Sequence, residues 1–487
     1  MTMPHPLQDI ADLLMPLRFL LAAGVTLHAL RTKREIGAAI GWIGLTWLAP
    51  IFGTFLYVTF GINRVRRLAK RLSDARPWSS RRHINAETTE LEGDLAPLVG
   101  AVGQLTGRPL LSGNTVQCLH DGDNAYPVML AVIAKAERSL LLCSYIFRDD
   151  RVGTRFIDAI TAAHERGVTV RVLVDGIGSG YFRCGVARRL RAKGVPVARF
   201  MHSTLPWRMP FINLRTHKKI LIADGTIGFT GGLNIAVENV LRARPRHPVS
   251  DTHFQLTGPI VDQLTQAFAK DWSFTTNEDF DESVFYADSA PAKGDATPAT
   301  RPPGRLGSAY CRVVTSGPDA DLEKIEFAVM QGVALARRTV RIMTPYFLPD
   351  ERLLTVLAMA AMRGVTIDLV LPRQSNHRLI DWARTPNNVP LLEAGVRIWL
   401  SDAPFNHSKL LVVDQAWSLI GSANQDVRSL RLNFELNVEV HDPVLARELD
   451  AFMLVHCHER YEPVQITRRG FPIRIRDSAA RLLLPYL

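Results

Sequence analysis

Two histidines and two lysines recur in the chain at one fixed spacing. His217 and Lys219 are followed by Asp224, and His407 and Lys409 by Asp414, with four residues between Lys and Asp in both copies. Six residues further on come Gly231-Gly232-Leu233-Asn234 and Gly421-Ser422-Ala423-Asn424. Two complete matches with matching tails mark an internal duplication. The chemistry such a set supports is transfer of a phosphodiester group. Lysine ammonium groups are compact point charges for phosphate. One imidazole attacks phosphorus to give a phosphohistidine, and the other protonates the leaving alkoxide. The second imidazole then takes a proton from the acceptor alcohol, which resolves the intermediate. Asp251 and Glu435 occupy equivalent positions in the two copies. They are expected to hold the far nitrogens of the histidines and fix their tautomers. Asn234 and Asn424, behind glycines that let the backbone come close, are expected to add amide donors. Asp224 and Asp414 are placed with the catalytic set, although aspartate at such a turn also makes local hydrogen bonds. The lysine pair supplies the charge that a divalent ion would bring, so no metal and no cofactor is expected.

These groups need elements that bring them together. The segment THKKILIADG reads as a short strand pair, and residues i and i+2 on a strand face the same side. His217 and Lys219 therefore project together, as do His407 and Lys409. The flanks repeat as well: Arg166-Gly-Val-Thr-Val170 matches Arg363-Gly-Val-Thr-Ile367, LLLCSYIF matches VRIMTPYF, and DTHFQL parallels ELNVEV. Each half alternates strand and helix, which predicts an α/β fold of two similar halves whose motifs meet in one cleft. The expected boundaries are an N-terminal membrane region 1–62, a basic connector 63–106, a first half 107–286, a Pro/Gly/Ala-rich linker 287–308 and a second half 309–487.

The chain of 487 residues is 47% hydrophobic and 22% charged, which excludes a disordered or low-complexity protein. A net charge of +11 favours an anionic partner, either nucleic acid or an acidic membrane surface. Five scattered cysteines without a CxxC spacing argue against a disulfide framework and against a zinc cluster. Residues 36–61 run for 26 positions without a charge, long enough to span a bilayer with some tilt. The stretch 13–30 is weaker, because it carries Pro16, Arg18 and His28. Arg64, Arg66, Arg67, Lys70 and Arg71 follow directly, and the positive-inside rule puts this flank, and the large C-terminal part, in the cytoplasm. At the other end, residues 466–487 mix five arginines with Leu, Ile, Phe and Tyr. A short helix capped by Asp477 and closed by Pro485, lying among lipid headgroups, is the expectation there.

The paired motifs resemble the phospholipase D superfamily. The details resemble its bacterial cardiolipin synthases: the FLYVTFG segment, DTHF with GPIV, Lys270-Asp-Trp272, TPYFLPDE, GSANQDVRSLRLNFELN and the terminal RLLLPYL. That resemblance implies two α/β halves packed face to face and a bacterial inner-membrane enzyme. It also implies transfer of a phosphatidyl group from one phosphatidylglycerol to another with release of glycerol. Through the superfamily it implies His217 as nucleophile and His407 as acid/base. Departures are Gly-Gly at 231–232, HPVS before Asp251 and Asn376 after LPRQS. A lipid-hydrolysing phospholipase D uses the same residues, with water as acceptor. A nuclease is disfavoured by the apolar segment, so no nucleic acid partner is expected, and a non-catalytic scaffold is disfavoured by two intact motifs.

Overall fold

The computed structural model describes residues 6–33, 36–61, 91, 93–202, 214–278, 280–287 and 307–482. The basic run 64–71, most of the linker and residues 483–487 lie outside the described residues. The chain divides into two units, Met1–Arg71 and Leu72–Leu487.

The first unit is helical: Pro6–Thr32, Ile36–Leu48, Pro50–Leu56 and a π-helical turn, Tyr57–Gly61. Residues 36–61, read from the sequence as long enough to span, do not form one continuous helix. Pro50 has no amide hydrogen to continue the helix, and Ala49 before it leaves helical geometry at φ −138°. The chain bends there, and a Cβ at Gly53 would come within 2.7 Å of the Leu45 carbonyl oxygen, so the close turn depends on glycine. Among the described residues no helix is long and apolar enough to cross a membrane. The helices are tied by His28 Nδ1 to the Tyr57 hydroxyl at 2.7 Å and by Trp47 Nε1 donating to Thr26 Oγ1 at 3.0 Å. Their outer faces leave Phe19, Leu20, Leu27, Leu30, Phe52 and Phe55 exposed.

The second unit is built on the duplication. Counting outward from the centre, the first half lays down strands Leu111–His120, Thr252–Thr257, Ile227–Gly231, Ile220–Ala223, Ser139–Ser144, Thr169–Asp175 and Val197–Phe200. The second half lays down Ala309–Ser316, Glu435–His441, Trp417–Gly421, Leu410–Val413, Thr339–Met343, Thr366–Pro372 and Arg397–Ser401, with Glu459–Arg460 at its outer edge. In each half the three strands linked by helices are parallel and the others antiparallel. The repeats extend to helix starts: Asp150 caps Arg151–Glu165 and Asp350 caps Glu351–Met362 through paired backbone N–H bonds. Leu111–His120 pairs with Ala309–Ser316, so the halves join edge to edge in one 15-stranded sheet. Asp121–Lys135, Arg151–Glu165 and Gly185–Ala192 cover one face of the first half, and Lys324–Leu335, Glu351–Met362 and Arg378–Glu393 cover one face of the second. Ile260–Thr276 and Pro443–Val455 share a third core with strands from both halves.

Beside this joint, Arg312 is 1% exposed and donates to Glu439 at 2.7 Å and to the backbone carbonyls of Val99 and Arg108. Breaking a buried pair strands the remaining charge, at about 3–5 kcal/mol. Arg312→Met is expected to lower the unfolding free energy by that much and the urea midpoint with it, and adding Glu439→Leu to recover a large part. Equal midpoints for the two variants would show that the pair does not hold the joint.

Candidate active site

Main-chain pairing between the halves sets the site. His217 N donates to Phe434 O at 2.9 Å, and Phe434 N to Arg215 O at 2.8 Å. In the other copy, Phe405–Asn406 pairs with Val249–Ser250, and His407 N donates to Ser250 O at 2.7 Å. Phe434 precedes Glu435 and Ser250 precedes Asp251, so each histidine is registered beside the carboxylate of the opposite half. His217 Nδ1 lies 3.0 Å from Glu435 and 3.1 Å from Ser422 O, and His407 Nδ1 lies 2.7 Å from Asp251 Oδ2. A carboxylate only accepts, so Nδ1 carries the hydrogen and Nε2 keeps a lone pair.

The lysines close the cluster. Lys219 Nζ donates to His217 O at 2.6 Å, and Lys409 Nζ donates to His407 O and lies 2.8 Å from His407 Nδ1. Lys219 is 2% exposed, Lys409 4% and Glu435 0%. Burial is the main cause that lowers both histidines to about 4, against the pull of Glu435 on His217; at His407 the Lys409 charge adds to it and Asp251 opposes it. Burial likewise lowers Lys219 to about 8 and Lys409 to about 7, opposed by the two carboxylates. Burial works to raise Asp251 and Glu435, but Lys409 and His407 on one, and His217 and Lys219 on the other, leave both below the usual carboxylate range. The result is neutral imidazoles between anionic carboxylates and easily discharged cations.

The two carboxylates are supported differently. Glu435 accepts from Ser422 Oγ at 2.5 Å, Ser429 Oγ at 2.9 Å and Asn433 Nδ2 at 3.2 Å. Gly232 is the counterpart of Ser422, and a Cβ there would overlap the Asp251 carboxylate. The Gly-Gly departure is thus the space that Asp251 occupies. Asn234 Oδ1 accepts from Ile146 N at 3.3 Å, and Asn424 is hydrogen-bonded to Asp426 while its own Oδ1 is buried without a partner among the described residues. Two tyrosines were missed by the motif reading. Tyr145 packs edge-on to His217 at 4.8 Å with Lys219 Nζ 5.3 Å over its ring, and Tyr346 packs edge-on to His407 at 6.3 Å. Their signal lay in the duplicated segments LLLCSYIF and VRIMTPYF, where a tyrosine follows the strand in each copy, one position apart in the repeat.

The assignment of Asp224 and Asp414 to the catalytic set is corrected. They lie past the far ends of the strands that follow the lysines. Asp224 accepts from the backbone N–H groups of Glu137, Arg138 and Ser139, and Asp414 from those of Arg337, Arg338 and Thr339. Both take φ of 52° in the turn. They anchor the start of the neighbouring strand, so their oxygens are committed to the backbone. Elsewhere, Cys118, His120 and Glu448 converge as the one group of three metal-type donors among the described residues. Burial pushes the Cys118 thiol well up, which keeps it protonated and a poor ligand.

Asp414→Ala is expected to remove about 2–4 kcal/mol of stability by leaving three part-buried N–H groups without their acceptor, while turnover per folded molecule stays within a few-fold. Gly232→Ala is expected to do the reverse, with a near-normal melting temperature and turnover down at least about 100-fold as Asp251 is pushed off His407. Melting curves and turnover at low temperature read both; turnover abolished in folded Asp414→Ala protein would return Asp414 to the catalytic set.

A family profile described as "Cardiolipin synthase, PLD-like domain" matches residues 129–272 and 329–454, more than half of the chain. The chain is 30% identical to the major cardiolipin synthase ClsA of Bacillus subtilis (strain 168), over 98% of this chain and 100% of that one. It is 31% identical to cardiolipin synthase A of Pseudomonas aeruginosa, over 95% of this chain and 93% of that one. The crystal structure of phosphatidylserine synthase from Haemophilus influenzae Rd KW20 shares the fold, with a TM-score of 0.58 at 14% identity over 80% of this chain and 100% of that chain. With two intact motif copies meeting in one buried cluster, the chain belongs to the cardiolipin synthase family of the phospholipase D superfamily.

Proposed function

We propose that the protein is a phosphatidyltransferase that makes cardiolipin from two phosphatidylglycerol molecules and releases glycerol. The observation that carries this reading is the pair of buried histidines, each held at Nδ1 by a carboxylate of the opposite half and beside a lysine. The relatives are cardiolipin synthases along nearly their whole length.

In this reading the phosphodiester of the first lipid sits against Lys219 and Lys409. His217 Nε2 attacks phosphorus, the P–O bond to glycerol breaks, and His407 gives the leaving oxygen its proton. The bound phosphate anion raises His407 from its low resting value and so lets it carry that proton. Glycerol departs. The hydroxyl of a second phosphatidylglycerol then loses its proton to His407 and attacks phosphorus, which breaks the P–N bond and frees His217. Asp251 and Glu435 steady the transient imidazolium charges. The deep burial of the cluster favours an alcohol delivered with its lipid over bulk water.

The apolar outer face of the N-terminal unit supports attachment to the bilayer. The basic run after it supports the cytoplasmic side of a bacterial inner membrane.

Purified protein with phosphatidylglycerol vesicles and EDTA is expected to yield cardiolipin and glycerol in equal amounts, read by mass spectrometry. Phosphatidic acid as the main product would make it a hydrolase. His217→Ala and His407→Ala are each expected to lose at least about 1,000-fold in turnover. A phosphatidyl adduct mapped to His407 would reverse the two roles.

The lysine shifts set a pH limb. Lys409 and Lys219 lose charge above about 7 and 8, far below an ordinary lysine. Inhibition by tungstate, a dianion throughout this range, is expected to weaken about tenfold or more between pH 6.5 and 9. Constant inhibition up to pH 9.5 would mean that the lysines keep ordinary values.

A further inference from the structure

A cavity of about 400 Å³ in the second half contains none of the catalytic groups. It lies between the helix Arg378–Glu393 and the C-terminal helix Phe471–Arg481. That second helix starts six residues before Asp477, so Asp477 is not its cap. It is buried at 1% exposure and pins two arginines, accepting from Arg469 at 2.6 Å and from Arg476 at 2.7 Å. Arg476 also lies 4.3 Å over the Trp382 ring. Arg384 is held by the carbonyls of Pro372 and Arg373 at 2.9 and 3.1 Å. All three arginines line the cavity, and the guanidinium groups are held by these partners. A guanidinium carries five N–H donors, so each has donors beyond these bonds.

The charges nearly balance. Arg384 is paired with Asp381, and Arg469 and Arg476 share Asp477. The further arginine of the lining, Arg373, is paired with Asp402 and Glu459. A nearly balanced set that still offers guanidinium N–H donors suits a singly charged phosphodiester better than a phosphate dianion. Asn388, 2% exposed, lines the same cavity with its Oδ1 unpartnered among the described residues. A buried acceptor without a donor is costly, and a ligand hydroxyl would satisfy it.

The outer face of the C-terminal helix adds a second, independent observation. Phe471, Ile475 and Leu482 are exposed at 73%, 53% and 79% and recur at helical spacing, with Arg474 and Arg481 beside them. Apolar side chains flanked by arginine on a solvent-facing helix are the pattern of an interfacial helix on an anionic bilayer. A short run of chain links the cavity to the catalytic cluster. Arg373 and Gln374 line it, and two residues on Asn376 accepts from the hydroxyl of Tyr346, which packs on His407.

We infer that this cavity is a second, non-catalytic site for an anionic phospholipid whose headgroup joins a phosphodiester to a hydroxyl. Arg384, Arg469 and Arg476 take the phosphodiester, Asn388 takes the hydroxyl, and the Phe471–Leu482 stripe lies along the acyl chains. Such a site holds substrate or product lipid at the bilayer beside the cleft. It rests on the reading that the protein works on phosphatidylglycerol at a membrane, and not on the roles of the two histidines.

The test uses the full chain in phosphatidylcholine vesicles containing a photoactivatable phosphatidylglycerol, with saturating tungstate to occupy the catalytic cluster. Labelled peptides from 378–393 or 469–482 are expected, and Arg384→Gln is expected to lower that labelling at least tenfold. The wild-type result stands whether or not the variant folds, and a triple Phe471→Ser, Ile475→Ser, Leu482→Ser variant gives a surface change with the same expected loss. Labels confined to other segments would overturn the site. Inorganic phosphate that abolishes the labelling at concentrations below those of soluble glycerophosphoglycerol would also overturn it, because the ligand would then be free phosphate. If the unlabelled protein makes no cardiolipin but the labelling appears, the lipid site stands and the enzymatic reading fails.

Discussion

Two buried histidines must each be held by a carboxylate that their own half does not supply. His217 reaches across to Glu435 and His407 to Asp251, and main-chain bonds one residue before each carboxylate fix the register. A single half cannot complete either pair. The duplication, the shared core and the edge-to-edge joint of the sheets follow from this need, because the two carboxylate strands, Thr252–Thr257 and Glu435–His441, flank the central pair. A shift of one residue in either strand would turn the carboxylate to the opposite face.

Burial then does the chemical tuning. Taking imidazole and ammonium out of water disfavours their charged forms, so both histidines rest neutral and both lysines hold their protons loosely. A phosphodiester entering such a site brings the charge that was missing. Its anion secures the lysine cations and the imidazolium that forms in transit. The same burial that destabilises the empty site therefore favours the occupied one.

Much of this was legible in the residues, and the limits have physical causes. Spacing in HxK and the i, i+2 rule of strands placed His217 with Lys219 and His407 with Lys409, and repeat arithmetic singled out Asp251 and Glu435. The strand and helix order of both halves could be read from paired flanks. What spacing alone does not carry is partner choice between halves, since crossed and uncrossed pairs look identical along the chain. Asp224 and Asp414 share the periodicity of the motif, yet they anchor backbone amides of Glu137–Ser139 and Arg337–Thr339. Ile36–Gly61 has the composition of a span, but Pro50 breaks its hydrogen-bond ladder and Gly53 lets the chain fold back. Asp477 looks like a cap from local sequence, and instead it pins Arg469 and Arg476.

The crossed pairing is open to direct observation by nitrogen NMR of protein carrying ¹⁵N-labelled histidine near pH 6.5. His217 and His407 are expected as neutral rings protonated at Nδ1, with Glu435→Gln moving the His217 signals alone and Asp251→Asn moving those of His407 alone. If Glu435→Gln instead moves His407, or Asp251→Asn moves His217, each half completes its own site and the histidines are not held across the halves.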